Sequence, residues 1–571
     1  MPFSKLKNRK VMLCDMIYQK ASKKTEWKDY LTVVYRDMVT DRKEKMIIEE
    51  PEMNIFFVKP EHRNFKKARH FLPVDQLDMK TVKCKNVIKE IAKEAGSQYE
   101  EYCKTHSSYN EKKQIFKYPY CLGADIDIET YFRTLWNEQC GNTDRKNPDK
   151  IFLDIEVDQI DYEGNIARHG ECPINAVTIV DSRDRTSYTF LYDNGNNPQI
   201  KNFVNNQADF QSLLHKSFDE SYPNIDYKIY MFTDELEMII QIFNLIHKLA
   251  RDFCMIWNMG FDIPYIIERI RVLGGDPSSI MCADDFPTDT LYYYEDTRSF
   301  EFSQKKDFFS ISDMTHYTDG LINYASLRKS QGAVKRVNLG AVAKKELRDD
   351  KLDYSDSGNI RTLPYENYVK FVLYNIKDVL LLLGLDEKTH DIDNIYNMSL
   401  NNCVSYKDVL KQTITFRGLM YSYLRKIGFV LGHNVNFDAN SHGKYDENGE
   451  KIDDDDDDET FQGAINADPT LNKKNGLFLY GTPSKFLYGL VIDFDFSAMY
   501  PNSITAFNIF ATSLLGKVII EYKPLHTYDE DMGKEYIEDL IAGDHIFMGE
   551  KWHNLPSFEK INEKIKDKYG V

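Results

Sequence analysis

A chain of 571 residues, 42% hydrophobic and 29% charged, has the length of several domains with sizeable cores. Its formal charge of −17 is not that of a nucleic-acid-coating surface, although global charge says little about one local cleft. The longest apolar run, residues 379–383, falls far short of the roughly 20 residues a bilayer requires, and nine cysteines without a C-x-x-C pair argue for a reducing cytoplasm and against structural zinc.

In chain order, short strand-like runs such as Tyr30-Leu31-Thr32-Val33-Val34-Tyr35 come first, and helical patterning follows from Val82 to Tyr102. The stretch Gly141-Asn142-Thr143-Asp144-Arg145-Lys146-Asn147-Pro148 reads as a polar boundary. From Ile151 to about Leu385 strands and helices alternate, as in a mixed sheet with covering helices. A hydrophilic loop from Phe437 to Thr460 contains the acidic run Asp453 to Glu459, which reads as solvated chain without chemistry.

Within this frame, Ile151-Phe152-Leu153-Asp154-Ile155-Glu156-Val157 alternates as a strand, with Ile151, Leu153, Ile155 and Val157 toward a core and Asp154 and Glu156 together on the other face. Two hard oxygen donors so placed suit Mg²⁺ or Mn²⁺. The same spacing recurs at Asp127-Ile128-Glu129. In Asn258-Met259-Gly260-Phe261-Asp262, Asp262 is placed to cap a helix with Pro264 in its first turn and Gly274-Gly275 as its stop, and a functional role can coexist with capping. The aromatic runs Leu291-Tyr292-Tyr293-Tyr294 and Phe300-Glu301-Phe302 read as a hairpin, and residues 328–336 as a basic loop able to meet phosphate. Tyr374 and Asp378, spaced i and i+4 in an apolar-periodic stretch from Tyr368 to Leu385, share one helix face. Val491-Ile492-Asp493-Phe494-Asp495-Phe496 alternates again, placing Asp493 and Asp495 on one strand face shortly before Tyr500-Pro501.

The ordered set D-x-E, N-x-x-F-D and Y-x-x-x-D, followed by Asp495-Phe496-Ser497-Ala498-Met499-Tyr500-Pro501, resembles the three 3′→5′ exonuclease motifs and the first palm motif of family B DNA polymerases and their DEDDy nuclease relatives. The likeness is greatest to replicative polymerases of large tailed bacteriophages. It favours Asp154 over Asp127, because Pro173-Ile174-Asn175-Ala176-Val177-Thr178-Ile179 follows Asp154 like that fold's second strand. The resemblance implies that Asp154, Glu156, Asp262 and Asp378 ligate two divalent ions, Mg²⁺ or Mn²⁺. One ion would activate a water, the other would stabilise the leaving 3′-oxygen, and Tyr374 would orient or help deprotonate that water. It implies DNA contacts at Asn258 and Phe261, and at Phe461 and Gly463, where Phe461 replaces the family's tyrosine. In the palm it implies Asp495 and the Phe496 carbonyl as metal donors and residues Phe496, Ser497, Ala498, Met499 and Tyr500 as the nucleotide site, with Tyr500 excluding a 2′-hydroxyl. Ala498-Met499 departs from the family's Ser-Leu and removes a serine hydroxyl contact.

The later motifs K-x-x-x-N-S-x-Y-G and D-T-D are not found downstream of residue 501, and Asp289-Thr290-Leu291 lacks the second aspartate. The expected organisation is multidomain, α/β and α+β. It comprises a mixed β N-terminal domain (1–148), an RNase H-like exonuclease domain (149–390), a linker returning to the N-terminal domain with the acidic loop (391–458), and the first palm segment (459–571). The expected function is the N-terminal subunit of a split DNA polymerase with a proofreading exonuclease, in the host cytoplasm. Its partners would be primer-template DNA and single-stranded 3′ ends, dNTP, a second chain bearing fingers, remaining palm and thumb, and a sliding clamp, with no membrane. A free-standing exonuclease and a non-catalytic DNA-binding assembly subunit are the alternatives.

Overall fold

The structure is a computed structural model. It describes residues 2–63, 71–106, 108–141, 146–163, 169–299, 301–329, 336–357 and 359–432, followed by two short strands, His545–Met548 and Lys551–Asn554. Chain contacts group residues 1–453 into one compact unit and residues 454–571 into a second. The predicted site residues Phe461, Gly463, Asp495, Phe496, Ser497, Ala498, Met499 and Tyr500 lie outside the described residues.

The first unit opens with an antiparallel sheet of β1 (Val11–Gln19), β2 (Tyr30–Asp37) and β3 (Arg42–Glu49), in which the β-branched run of β2 forms the central strand. A second sheet follows, built from β4 (Glu52–Val58), β6 (Leu77–Lys83) and β7 (Cys121–Leu122) in the order β6-β4-β7, while β5 (Phe71–Pro73) lies in a separate pair. Helix α1 (Ile128–Gln139) buries Phe132 and Trp136 in the core shared with β1 and β2. Asp127 is its N-cap, accepting from the Glu129 and Thr130 amides, and Glu129 accepts from the Tyr18 amide and pairs with Lys407. The rival acidic pair is therefore consumed by structure.

The central element is a six-stranded mixed sheet. Its strands are β8 (Lys150–Val157), β9 (Ile174–Asp181), β10 (Thr186–Tyr192), β11 (Asp226–Phe232), β12 (Phe253–Ile256) and β15 (His316–Asp319), ordered β11-β10-β9-β8-β12-β15. β8, β9 and β10 form an antiparallel meander, whereas β11, β12 and β15 join in parallel. This is the mixed α/β arrangement the alternating pattern predicts. Period-two alternation assigns the two faces to different cores. Ile151, Leu153 and Ile155 pack with α2 (Glu235–Leu249) and α3 (Met259–Val272), whereas Phe152, Ala176, Val180 and Leu191 pack with α5 (Tyr368–Thr389) on the other side. Asp154 and Glu156 share the Phe152 face, so helix α5 rather than open solvent stands over them.

The N-terminal sheet is joined to this sheet by buried charge. Arg36 of β2, 2% exposed, donates to both oxygens of Asp252 at 3.0 and 2.9 Å and reaches Asp149 at 3.0 Å. Lys43 adds bonds to the Arg251 and Met314 carbonyls. Later, β16 (Phe429–Leu431) pairs with β5, so the chain beyond α5 returns to the N-terminal strands.

The aromatic hairpin differs from expectation. β13 (Leu291–Tyr294) pairs with β14 (Phe308–Ile311), and Phe302–Gln304 is a short 3-10 helix. The reason lies in the connection. Asp307 accepts the Asp296 amide, and Asp296 accepts the Arg298 amide and the Ser299 hydroxyl, so the turn extends past residue 299 before pairing begins. Arg328, at the start of the predicted basic loop, is engaged by Asp391 and lies over the Tyr324 ring; residues 330–335 are outside the described set.

Candidate metal centre

Three carboxylates converge where β8 passes under α5. Ligand oxygens of Asp154, Glu156 and Asp378 all lie within 4.8 Å of one another, the one such cluster of three acidic, histidine or cysteine side chains among the described residues. The strand places Asp154 and Glu156 two positions apart on one face, and the helix turns Tyr374 and Asp378 toward them from consecutive turns.

Asp378 is buried and Asp154 and Glu156 are half-buried, and each charge is felt by the others. Burial, reinforced by the Asp378 charge and opposed by Lys351, pushes the Asp154 carboxyl up to about 7. Burial and the two neighbouring aspartates push Glu156 well above the usual carboxylate range. Asp378 is raised by burial against the opposing pull of Lys351. Three carboxylates face a single ammonium, that of Lys351, so the cluster is short of positive charge, and Asp378 Oδ1 is a buried acceptor with no partner among the described residues. Crowded hard oxygens with an unfilled acceptor are the donor set a small divalent cation requires, so the residues present fit one.

One cation is already in place, and no motif or spacing in the sequence marks it. Lys351 Nζ donates to Asp378 Oδ2 at 2.5 Å and to the Tyr374 hydroxyl at 3.1 Å. Burial would lower this ammonium, but Asp378, Tyr374 and Asp154 raise it above its ordinary value. Lys351 comes from an irregular segment before α5, whose position is fixed by Asp349. That carboxylate accepts from Lys377 on α5 at 2.5 Å and from the Tyr222 hydroxyl at 2.9 Å. Neither periodicity nor spacing marks such a residue, because its role arises from a loop folding back onto a helix. Tyr374 packs edge-on to Tyr354, and burial followed by the Asp378 charge raises its phenol above the ordinary range.

Asp262 is placed differently from the sequence expectation in one respect. The cap of α3 is Asn258, held in the left-handed region at φ 65°, so the helix begins at Met259 and Pro264 falls beyond its first turn. The Met259 amide is taken by Asp319, which also caps α4 (Gly320–Leu327) through the Leu321 and Ile322 amides. Asp262 is thereby released from capping and buried at 3% exposure. It stands outside the tight group of three, yet burial and then the Asp154 charge raise its carboxyl well above the usual range, so it borders the same pocket of charge. Gly274, at φ 82°, follows the end of the helix as expected. Asn258 and Phe261 line a cleft of about 160 Å³ with His169, Lys305 and Asp319.

Behind α3, Arg269 forms a two-point pair with Glu235 at 2.7 and 2.6 Å and donates to the Gly170 carbonyl at 3.1 Å. Glu235 Oε1 also accepts the Ile174 amide at 2.8 Å. This buried knot ties α2, α3 and the start of β9 into one support for the cluster.

The mixed sheet and its carboxylate cluster form an α/β site suited to a divalent cation, and residues 185–315 match the family described as DNA polymerase family B, exonuclease domain. That match spans the Asn258–Asp262 motif, while Asp154, Glu156, Tyr374 and Asp378 flank it. The DNA-directed DNA polymerase of Escherichia phage RB69 is 24% identical over 384 residues, covering 66% of this chain and 36% of that protein. The DNA-directed DNA polymerase of Enterobacteria phage T4 is 23% identical over 412 residues, covering 71% of this chain and 38% of that protein. Together the findings show a segment similar to the exonuclease domain of family B DNA polymerases, within a chain similar over about two thirds of its length to two phage DNA-directed DNA polymerases. The chain spans little more than a third of the length of these curated relatives. Among the described residues no helix is long and apolar enough to cross a membrane.

Proposed function

We propose that this chain carries the proofreading 3′→5′ exonuclease of a DNA polymerase, removing nucleotides from a single-stranded 3′ end with Mg²⁺ or Mn²⁺. The observation that carries the reading is the convergence of Asp154, Glu156 and Asp378 beneath Tyr374 and Lys351, in a chain whose residues 185–315 match that exonuclease family. Two divalent ions, when bound, would supply an activated water and charge stabilisation at the leaving 3′-oxygen. Asp154, Glu156 and Asp378 would hold them, with Asp262 completing the set from the bordering helix. Lys351 fixes Asp378 and holds the Tyr374 oxygen at the cluster. Tyr374, whose phenol is raised by burial and the Asp378 charge, would orient or help deprotonate the attacking water. Asn258 and Phe261 would receive the strand in the neighbouring cleft.

The finer reading is a split enzyme. Asp495 would be the first palm aspartate, the Phe496 carbonyl a further metal donor, and Tyr500 the steric wall against ribonucleotides. Fingers, remaining palm and thumb would come from a second chain, and dNTP, primer-template DNA and a sliding clamp would be its ligands and partner in the host cytoplasm. The motif Asp495-Phe496-Ser497-Ala498-Met499-Tyr500-Pro501 supports the palm assignment.

The test is hydrolysis of a 3′-labelled oligonucleotide by the purified chain with Mn²⁺. Wild type shortens the DNA from the 3′ end, and Asp154→Asn with Glu156→Gln abolishes cleavage while the folded state is retained. Undiminished cleavage by that variant would overturn the assignment. Addition of a second chain bearing the missing motifs should give nucleotide incorporation that Asp495→Asn silences without affecting the nuclease. Incorporation by the single chain would overturn the split reading.

A further inference from the structure

A row of polar side chains crosses the sheet face beneath α5. Asp154 on β8 is paired in register with Thr178 on β9, and Thr178 with Thr189 on β10, so the three lie side by side across adjacent strands. Period-two alternation puts them on the face of Phe152, Val180 and Leu191. Thr178 and Thr189 are buried. From above, Asn375 of α5, with no solvent exposure, closes the row.

The hydrogen bonds fix the direction of this row. Thr178 Oγ1 lies 2.6 Å from Asn375 Oδ1 and 3.0 Å from Thr189 Oγ1. An amide oxygen only accepts, so the Thr178 hydroxyl must donate to it and can then only accept from Thr189. The Asn375 NH₂ group is thereby turned toward Asp154, with Nδ2 at 3.5 Å from Oδ2. Thr189, Thr178 and Asn375 form one donor chain that ends on a carboxylate. Thr189, Thr178 and Asn375 are all buried, and the chain reaches the half-buried Asp154 at its end. Asn375 also sits between Tyr374 and Asp378 on the same helix, so the backbone that presents those two groups presents the amide as well.

We propose that Asn375 is a positioning residue for Asp154. Anchored by Thr178 and Thr189, it holds one carboxylate oxygen in a fixed direction, and so presents the other toward Glu156 and Asp378 for a divalent cation. The inference rests on the exonuclease reading above, and it adds residues on β9 and β10 that touch neither cation nor DNA.

Groups that orient the ligands of a metal typically change its affinity by about 10–100-fold when removed. The experiment measures Mn²⁺ binding to the chain alone by calorimetry or by the electron paramagnetic resonance of free Mn²⁺, alongside the Mn²⁺ dependence of oligonucleotide hydrolysis. Asn375→Leu, close in volume, should weaken Mn²⁺ binding about tenfold. It should shift the half-saturating Mn²⁺ concentration for hydrolysis by the same factor, with KM for DNA unchanged. Thr178→Val should give a smaller shift in the same direction, and Thr178→Ser, which keeps the hydroxyl, should restore it. The double variant Asn375→Leu with Thr178→Val should be no worse than Asn375→Leu alone, because both break one chain. Wild-type Mn²⁺ affinity in folded Asn375→Leu, or independent additive effects of the two substitutions, would overturn the proposal. If Asn375→Leu does not fold, the Thr178→Val and Thr178→Ser pair decides, and equal Mn²⁺ affinity in both would overturn it. Absence of any Mn²⁺ binding by the wild-type chain would instead overturn the underlying exonuclease reading along with it.

Discussion

Replacing Asp154 with Asn should stabilise the metal-free protein, and the gain should depend on pH. Asp154 titrates at about 7 in the folded chain against 3.8 ordinarily, a rise caused first by burial and then by the Asp378 charge. A carboxyl raised on folding contributes stability that is present below pH 3.8 and is lost as pH rises toward 7. Above pH 7 the folded state holds an unwanted charge. At about 1.4 kcal/mol per unit, a rise of about 3 units sets a ceiling near 4 kcal/mol. Asp154 is only half-buried, and solvent screening reduces the effect to about 1–2 kcal/mol. Asparagine has no charge to bury, so thermal or urea denaturation in EDTA at pH 8 should show Asp154→Asn more stable than wild type by that amount. At pH 5 about a third of the gain should persist, in proportion to the part of the interval between 3.8 and 7 already crossed. Excess Mn²⁺ should reverse the order, because it stabilises only a chain that binds it. An Asp154→Asn chain no more stable than wild type in EDTA at pH 8, or a gain independent of pH, would refute the electrostatic reasoning.

Two further outcomes follow from the supporting contacts. Lys351→Met removes the ammonium shared by Asp378 and Tyr374, and should lower hydrolysis by at least about tenfold, measured as single-turnover rate on an oligonucleotide. Glu235→Ala leaves Arg269 as a buried, unpaired cation and the Ile174 amide without its acceptor. Urea denaturation should show a loss of about 3–5 kcal/mol, whereas a loss below about 1 kcal/mol would mean that the knot is not a support for the cluster.

Much of the site was legible in the sequence because local geometry carried it. Alternation in residues 151–157 is enough to place Asp154 and Glu156 on one strand face, and helical spacing is enough to put Tyr374 and Asp378 on one helix face. Those periods are properties of the backbone, and tertiary packing does not alter them. The order of the three motifs supplied the rest. Where local spacing offers rival readings, the choice rests on segments beyond it, as the run 173–179 favours Asp154 over Asp127. Asp127-Ile128-Glu129 has the same spacing as Asp154-Ile155-Glu156, and only the fold shows the first pair spent on a helix cap and on Lys407. Asp262 is spaced to cap a helix as well as to serve a site, but the left-handed Asn258 and the carboxylate of Asp319, 57 residues downstream, start the helix one turn earlier. The hairpin partner moved from Phe300-Glu301-Phe302 to Phe308–Ile311 because side chains in the turn consumed the intervening residues.

What the tertiary structure alone decided is the set of long-range polar contacts. Lys351 reaches the cluster from a loop that Lys377 and Tyr222 hold through Asp349, and Asn375 faces Asp154 because Thr178 and Thr189 sit at matching register on two neighbouring strands. Hydrophobic periodicity reports which face of an element is buried. It carries no information about which buried polar groups meet, since that depends on the register and approach of elements far apart in the chain.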